Sequence, residues 1–599
     1  MNKILPLVCV VLLVLTCFFL FFKPVEVGDI GWHIKAGEWM YQQRSLPKVD
    51  PFYFKENAPV WISHSWLGTL SYYFIYAASG EAGLKVFRLL VILGALSLFA
   101  FYARRKMPMS LLLLLITVMA FGISHRALLR PLLFNYLFIQ LLLIIVLSGL
   151  KDSRSRVFWW VPLLAVIWYN FHAAALVHGG LILGAVLCGL ALEIVLAKAD
   201  KTSASDAGDL IGPFRITVVA AGLMLGSFLL NPYGLEGFMY PFKVFWDPSY
   251  FNFMENTKFV DELQPPKYLL TFNGLWFYLL AAAATACVYI NQKNRLTYIL
   301  LFVGTLAAFL YGARMLILFV LVSAYVIVSC SANFSLKEKW DEKRWGTSVL
   351  VLLAVFLALF CLGSSRKGVY VDGRFQKVVS LDYAVANPNE AVEFLKNHGI
   401  GGPVLVNDLI GGQVLWKGFP QLRPIVDGRW TDVNMMKLFI RGALDPEQHF
   451  SALHQAGGFD IILLDPSNST SYLLLPYLKG RPDWRLIYLD GSVVIFVKEN
   501  AFDLPASLLS FEDSLSRMRL DSEDRSLLRG AAGLAESDDL WSYLFPRISY
   551  IDTLEEGIAL IELGLKEPGV KRIVDAYREA DVRMTRAALR SSFSILGRP

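Results

Sequence analysis

The sequence predicts a polytopic α-helical membrane protein with about eleven transmembrane helices, followed by a C-terminal α/β soluble domain and a helical tail. Hydrophobic residues make up 55% of the 599 residues and charged residues only 18%, which is too apolar for one soluble globule of this length. The long apolar runs all precede residue 363, and the rest of the chain has an ordinary soluble composition. The two parts are therefore expected to face different solvents.

The first apolar run covers residues 4–22 and is about as long as a membrane span. It is longer than the hydrophobic segment of a signal peptide, and Lys23 and Pro24 follow it in place of a cleavage site with small residues. We therefore expect an uncleaved first transmembrane helix.

Ten further apolar runs are predicted to be spans, some of them shorter than the roughly 20 residues that a helix needs to cross a bilayer. They cover residues 83–102, 110–123, 132–150, 157–169, 173–196, 216–230, 274–290, 296–313, 315–330 and 349–362. All six cysteines lie in predicted spans, so we expect neither a disulfide nor a cysteine-based zinc site in the soluble domain.

Lysine and arginine in the short loops predict the orientation. The basic loops are residues 104–106, 151–156, 198–215, 293–295 and 337–344, which all fall on one side of the predicted bundle. The positive-inside rule makes that side cytoplasmic. The opposite side then receives the first outer loop, residues 23–82, and everything after residue 362. An odd number of spans places the two termini on opposite faces.

The predicted domains are a transmembrane domain at residues 1–362, an α/β domain at 363–505 and a helical region at 506–599. A helical pattern at residues 389–397 precedes the apolar segments PVLVND, QVLWKGF, RPIVDG, FDIILLD, WRLIYLD and GSVVIFVK, which are read as strands with helices between several of them. The soluble part is mildly acidic, and neither part has the clustered basic stripe of a nucleic-acid-binding protein.

Polar and ionisable residues gather at the predicted outer ends of the spans. Ionisable groups near a bilayer are costly unless they are paired or hydrated, so we expect one water-accessible cavity there. Each residue alone could instead be an interface anchor or a helix cap. The candidates are Asp29, His33, Asp50, His64, His125, Arg126, Arg130, Asn170, His172, Asn231, Glu262 and Arg314.

The first outer loop, DIGWHIKAGEWMYQQRSLPKVDPFYF followed by WISHSWL, resembles that of bacterial membrane proteins in the C-type (GT-C) glycosyltransferase superfamily. RPLLFNYLF, NFHAA and NPYG continue the resemblance, and VLVNDLIGGQVLW with RPIVDGRWTDV is similar to the extracytoplasmic domain of such proteins. One departure is Ser65, which stands where relatives have Glu. An acid role of that position would be missing here, or would pass to Asp50 or Glu38.

The resemblance implies a fold, an activity and roles for the outer residues. Asp29 matches the loop aspartate that acts as general base or electrostatic anchor, with Asp50 as the second candidate catalytic carboxylate. Basic residues hold the phosphate of the donor in this superfamily. Transfer from a phosphate leaving group also needs cations, and Arg126, Arg130 and Arg314 are the available ones. His33, His64, His125, His172, Asn231 and Glu262 complete the predicted substrate-binding set.

Two motifs of the soluble domain are weaker signals. Gly411-Gly412 resembles a phosphate-binding turn but lacks the G-x-G-x-x-G spacing, which favours a structural turn. Asp427-Gly428-Arg429 either binds a polar ligand or closes a turn with an ion pair.

These observations lead to the hypothesis of a membrane glycosyltransferase that uses a polyprenyl-phosphate-linked sugar donor at the outer face of a bacterial cytoplasmic membrane. The alternative is a non-catalytic or transport component of cell-envelope glycan assembly that binds a lipid-linked glycan. We expect membrane lipids and a glycan, lipid or protein acceptor as partners, and no nucleic acid. The sequence predicts no cofactor and leaves a divalent metal open.

Overall fold

The computed structural model describes most of the chain up to residue 504. The described residues are 4–25, 28–152, 154–199, 204–247, 261–266, 269, 274–291, 293–333, 335–367, 369–371, 374–376, 387–465, 471, 474–479, 481–489 and 493–504. The predicted helical tail at 506–599 lies outside them. The chain forms two compact units: residues 1–25, 36–46 and 62–382 form the transmembrane unit, and residues 26–35, 47–61 and 383–599 form the soluble unit.

Apolar helices build the transmembrane unit. Its helices are α1 (Ile4–Phe21), the second half of α2 (Asp29–Gln43), α3 (Trp66–Ala103), α4 (Met109–Ser124), α5 (Asn135–Gly149), α6 (Val161–Phe171), α7 (Ala174–Ala199), α8 (Ala204–Ser227), α9 (Gly234–Trp246), α10 (Leu275–Ile290), α11 (Arg295–Tyr311), α12 (Leu316–Asn333), α13 (Leu336–Lys339) and α14 (Thr347–Lys367). A two-stranded antiparallel hairpin, β1 (Val369–Val371) and β2 (Arg374–Gln376), follows α14.

Each of the eleven predicted apolar runs overlaps one of these helices, which confirms a polytopic helical protein. Seven helical segments among the described residues are long and apolar enough to cross a membrane, and α4, α10 and α11 are shorter apolar helices. The number eleven is therefore not confirmed. The second predicted span is part of α3, a 38-residue helix that begins at Trp66 and has non-helical dihedral angles at Gly80.

Helix α12 lies at the centre of the transmembrane unit. Every residue from Leu316 to Ser331 is buried, and nearly all of these side chains are apolar. A helix that is apolar on all sides is expected to be enclosed by other helices, and α12 packs against α10 and α11. In contrast, α1 packs along α14, and many apolar side chains of both helices are exposed, as expected for a lipid-facing pair.

The soluble unit is an α/β domain with a five-stranded sheet. Its elements are α15 (Asn389–Asn397), β3 (Gly402–Val406), α16 (Asp408–Gly418), β4 (Leu422–Pro424), α17 (Val433–Leu444), α18 (Pro446–Gly457), β5 (Ile461–Leu464), α19 (Leu474–Lys479), β6 (Trp484–Leu489) and β7 (Val494–Lys498). The strand order is β4-β3-β5-β7-β6; β3 runs parallel to β4 and β5, and β7 runs antiparallel to β5 and β6.

One predicted strand is wrong. QVLWKGF lies almost entirely in helix α16, because the apolar run continues a helix that starts at Asp408, and most of the helix is buried around its whole circumference. A short, mostly apolar run cannot be assigned to strand or helix from periodicity alone.

Part of the first outer loop belongs to the soluble unit. Residues 47–61 fold back on themselves, with Val49 and Val60 bridged in antiparallel fashion. Phe54 is buried within the apolar core of the soluble unit. Tyr53 donates a hydrogen bond of 2.6 Å from its hydroxyl to Asp432 Oδ2. The α/β domain therefore completes its core with residues that lie more than 300 positions earlier in the chain.

Candidate functional site

Three arginines of the transmembrane unit converge on one carboxylate. Arg126 Nη2 lies 2.5 Å and Arg130 Nη1 2.9 Å from Glu262 Oε2. Arg314 Nη1 lies 3.6 Å from Glu262 Oε1. Three guanidinium groups around a single carboxylate leave the cluster with a net charge of about +2, since arginine is always protonated in proteins.

Tight turns between the helices hold this arginine cluster. Arg130 has an extended backbone (φ −131°, ψ 156°), as expected for a residue that precedes a proline. The chain at Arg130 therefore does not continue the helical path of α4. The Tyr72 hydroxyl donates a hydrogen bond of 2.7 Å to the Arg130 carbonyl. Ala313 N donates to Gln264 O at 2.9 Å, which joins the turn of Arg314 to the turn of Glu262.

The electrostatics of the cluster favour an anion. Burial by itself would favour the neutral form of Glu262, but Arg130, Arg314 and Arg126 hold the pKa of this carboxyl well below its usual range. The carboxylate is therefore charged at neutral pH. Arg126 Nε is buried and has no hydrogen-bond partner among the described residues. A buried donor of this kind is costly unless a ligand or water supplies an acceptor.

Two histidines lie together in the same unit. The His64 ring stacks on Tyr240 with a centroid distance of 5.0 Å and meets the His172 ring edge-on at 5.4 Å. Burial, and then the charge of Arg314, lower the pKa of His64 to about 4, so this imidazole is neutral at pH 7. His172 Nδ1 accepts a hydrogen bond of 3.0 Å from Ala174 N, which leaves Nε2 to carry the proton of a neutral ring.

The other predicted residues of the transmembrane unit have structural contacts. Asn231 Oδ1 accepts from Tyr233 N and Asn231 Nδ2 donates to two carbonyls, so this side chain shapes the turn before α9. Asn170 Oδ1 accepts a hydrogen bond of 2.7 Å from the Trp66 indole. His125 follows α4 and lies 5.9 Å from the Trp276 ring between centroids. Their predicted roles in substrate binding stay predictions.

Asp29 is the first residue of α2 and belongs to the soluble unit. Its Oδ1 accepts a hydrogen bond of 3.1 Å from the indole nitrogen of Trp32, one turn further along the helix. Trp32 is buried, and its ring is tilted by 32° against that of His33, with centroids 3.5 Å apart. His33 is buried as well, so its side chain supports the helix that carries Asp29.

Asp50 lies in a buried ionic network. Arg429 Nη1 lies 2.5 Å from Asp50 Oδ1, and Arg429 Nη2 lies 2.6 Å from Asp427 Oδ2. Thr431 Oγ1 donates to Asp50 Oδ2 at 2.8 Å, and Phe52 N donates to Asp50 Oδ1 at 2.9 Å. The ion pair predicted as one interpretation of Asp427-Gly428-Arg429 is present, and it extends to the first outer loop.

A further acidic residue of the soluble unit, Asp408, is the first residue of α16. Burial, and then the charges of Asp29 and Asp427, raise the pKa of Asp408 to about 6. Asp408 was not among the residues predicted from the sequence, although its position after the strand PVLV matches the place where α/β sheets present polar side chains. Tyr240 was also missed, because nothing in its local sequence indicates that it stacks on a histidine.

The structure thus divides the predicted site residues between the units. Asp29, His33 and Asp50 belong to the soluble unit, and the other catalytic and substrate-binding candidates belong to the transmembrane unit. Within the transmembrane unit, the structure brings together the three arginines with Glu262, and His64 with His172. Among the described residues, no group of three or more His, Cys, Asp or Glu side chains is arranged to hold a metal ion.

Solved structures share this fold. The oligosaccharyltransferase of Archaeoglobus fulgidus, tethered to an acceptor peptide containing the NVT sequon, is similar with a TM-score of 0.50 and 12% identity, over 84% of this chain and 75% of that one. The archaeal oligosaccharyltransferase AglB from Archaeoglobus fulgidus, in complex with an inhibitory peptide and a dolichol-phosphate, gives a TM-score of 0.48, at 12% identity over 84% of this chain and 75% of that one.

ArnT from Cupriavidus metallidurans bound to undecaprenyl phosphate gives a TM-score of 0.47, with 12% identity over 83% of this chain and 98% of that one. No known family profile matches the sequence, and a search of curated proteins found no match. The likeness to the oligosaccharyltransferase, at 12% identity, concerns the fold alone. It confirms the predicted fold, in which a multi-helix membrane part is joined to a soluble domain.

Proposed function

We propose that this chain is a membrane glycosyltransferase that uses a polyprenyl-phosphate-linked sugar donor at the outer face of the membrane. The arginine cluster around Glu262 carries the proposal. It has a net positive charge, partly buried guanidinium groups and a buried Nε donor without a described partner, and these are the properties of a phosphate-binding site. The fold, shared with an oligosaccharyltransferase, is consistent with it.

In this mechanism the acceptor attacks the anomeric carbon of the donor sugar. The new glycosidic bond forms as the bond from that carbon to the phosphate oxygen breaks, and the electron pair leaves with the phosphate. Arg126, Arg130 and Arg314 stabilise the charge that develops on this leaving group. The carboxylate of Asp29 takes the proton of the acceptor.

Asp29 is preferred to Asp50 as this base because of the partners of Asp50. Both oxygens of Asp50 already accept hydrogen bonds from protein donors, one of them a buried guanidinium group. Taking up a proton would remove the ion pair between Asp50 and Arg429 inside the protein and leave the buried guanidinium group with Asp427 as its counter-ion, which is unfavourable. The Asp29 carboxylate accepts from the Trp32 indole, a neutral donor that stays neutral when the carboxylate is protonated.

The donor site is tested with undecaprenyl phosphate as the probe in lipid nanodiscs. Arg126→Gln, Arg130→Gln and Arg314→Gln should each weaken binding about tenfold or more, because hydrogen bonds between charged groups contribute roughly 1.5 to 3 kcal/mol each. Arg154→Gln is the matched control, since Arg154 is exposed and remote from Glu262 in sequence. Unchanged affinity in all three cluster variants would remove these arginines from the donor site.

A measurement of turnover distinguishes a glycosyltransferase from a protein that only binds a lipid-linked glycan. The wild type is incubated with polyprenyl-phosphate hexoses and candidate acceptors, and released polyprenyl phosphate is measured by mass spectrometry. A glycosyltransferase releases it in proportion to the sugar transferred. Binding without release for every donor and acceptor would favour a carrier or assembly component that holds a lipid-linked glycan.

A further inference from the structure

In the soluble unit, the N-terminal parts of α2 and α16 pack so closely that their backbones are in contact. A Cβ added to Gly31 in the first turn of α2 would lie 2.5 Å from Gly412 O, and one added to Gly412 in α16 would lie 2.6 Å from Gly28 O. Real Cβ atoms do not come so close to other heavy atoms. Gly412 therefore serves close packing against the helix that carries Asp29, and Gly411 serves close packing against Val426 and Asp427. The glycine pair is part of a helix and not a phosphate-binding turn.

The segment after β4 also reaches Asp29. A Cβ added to Gly428 would overlap Asp29 Oδ1 and would lie 3.4 Å from the indole nitrogen of Trp32. Gly428 does not have a positive φ angle, so its backbone conformation is one that other residues adopt. The feature that excludes a side chain at this position is the carboxylate of Asp29.

Buried ionic contacts fix the turn that contains Gly428. Arg429 Nε donates to Asp427 Oδ1 at 3.0 Å, and its Nη1 reaches Asp50. The guanidinium carbon lies 5.1 Å from the ring centroids of both Phe52 and Trp61, so the side chain is enclosed by two aromatic rings. Only 3% of the Arg429 side chain is exposed. A turn held in this way cannot move aside when a neighbour is displaced.

We propose that Gly428 is a positioning residue for the reaction, because the turn Asp427–Arg429 and the Trp32 indole together set the position of the Asp29 carboxylate. This inference rests on the proposed function, in which Asp29 takes the proton of the acceptor. A base displaced by about 1 Å loses on the order of a hundredfold in rate.

The test is a double-mutant cycle in the full-length protein, with the polyprenyl-phosphate hexose that the wild type turns over as substrate. Gly428→Ala should lower kcat by about 10- to 100-fold and leave the donor KM within about twofold. Adding Gly428→Ala to Asp29→Asn should cost less than about twofold more, because the displaced group no longer reacts. Gly442→Ala, which adds a Cβ 2.8 Å from Leu453 Cδ2 in the same unit, is the control for a general packing defect and should leave kcat unchanged.

Trp32→Phe is the second variant, in case Gly428→Ala does not fold. It removes the indole donor to Asp29 and keeps an aromatic ring, and it should show the same loss of kcat and the same dependence on Asp29. Equal losses in the wild-type and Asp29→Asn backgrounds would overturn the positioning role while leaving the proposed function standing. Full turnover by Asp29→Asn, or no turnover by the wild type, would overturn the proposed mechanism and this inference with it.

Discussion

The two acidic residues of the first outer loop have different surroundings, and this difference separates their roles. The Asp50 side chain is about 1% exposed and accepts hydrogen bonds from Arg429, Thr431 and a backbone amide. Such a carboxylate stabilises the ion network in which it lies, and removing one partner would leave a buried charge unpaired. Asp29 starts a helix and accepts a hydrogen bond from the Trp32 indole. Its position allows proton transfer, whereas that of Asp50 favours structure.

We expect Asp29→Asn to lower the rate of transfer by two orders of magnitude or more. Asparagine caps a helix nearly as well as aspartate and its Oδ1 still accepts from Trp32, but an amide does not take up a proton. The melting temperature and the affinity for undecaprenyl phosphate should therefore stay near the wild-type values. Glu56→Gln, at an exposed position of the same loop, is the control. Near-normal turnover would exclude Asp29 as the base.

A pH-dependent effect on stability is expected at Asp408, whose pKa rises from 3.8 to about 6 on folding. The folded protein therefore binds the proton more tightly than the unfolded chain does. The protonated Asp408 carboxyl therefore stabilises the folded state fully below about pH 4, and this stabilisation is lost as the pH rises through 6. Asp408→Asn should raise the melting temperature at pH 8 and have little effect at pH 4. An equal shift at both pH values, in thermal scans of the two proteins, would contradict this expectation.

At the scale of elements, α7 and α11 show how a membrane helix pair is fixed. A Cβ on Gly189 of α7 would overlap the backbone of Thr297 in α11. One turn further along α7, Glu193 Oε1 accepts a hydrogen bond of 3.0 Å from Thr297 N. The residue before α11, Asn294, makes no side-chain cap. A carboxylate from the neighbouring helix therefore satisfies a free N–H group at the start of α11, and it interacts favourably with the helix dipole.

Gly189→Ala should destabilise the protein, by about 1 to 3 kcal/mol if the helices cannot separate freely. Gly184→Ala on the same helix is the matched control, because a Cβ there meets nothing within 4 Å. It should be neutral or stabilise slightly, as alanine has the higher helix propensity. Thermal unfolding in the same detergent measures both. A similar melting temperature for the two variants would show that this contact does not hold the pair together.

At the scale of the whole molecule, the order of residues along the chain differs from their grouping in space. Residues 26–35 and 47–61 belong to the soluble unit, although the predicted transmembrane domain contains them. Phe54 and the Asp50 network show that these segments contribute to the core and to the ion pairs of that unit. The soluble unit is therefore not made of the C-terminal sequence alone.

The orientation of the protein is a prediction at this scale. The basic loops indicate that residues 104–106 and 151–156 face the cytoplasm and that the chain after residue 362 faces the opposite side. Alkaline phosphatase, which is active only outside the cytoplasm, should be active when fused after Pro599 and inactive when fused after Arg156. The reverse pattern of activity would invert the orientation and move the proposed reaction to the cytoplasmic face.

The sequence by itself determined the class of the protein and most of its helices. Apolar runs of this length have few alternatives to helices in a membrane, because only helices satisfy their own backbone hydrogen bonds in a lipid environment. The alternation of strands and helices also identified the α/β domain, and the set of outer-loop motifs indicated the GT-C fold. The segment QVLWKGF was assigned wrongly, since seven mostly apolar residues are too few for periodicity to distinguish strand from helix.

Only the tertiary structure decided which polar residues meet. The contacts of Glu262 with Arg126 and Arg314 join separate loops. These contacts therefore depend on how the helices pack and on the backbone hydrogen bond between Ala313 and Gln264. The contact between Asp29 and the Asp427–Arg429 turn was not predictable, because a contact across about 400 residues has no local signal in the sequence. Close packing of glycine backbones brings them together, since the absence of a side chain at Gly428 leaves the space that the Asp29 carboxylate occupies.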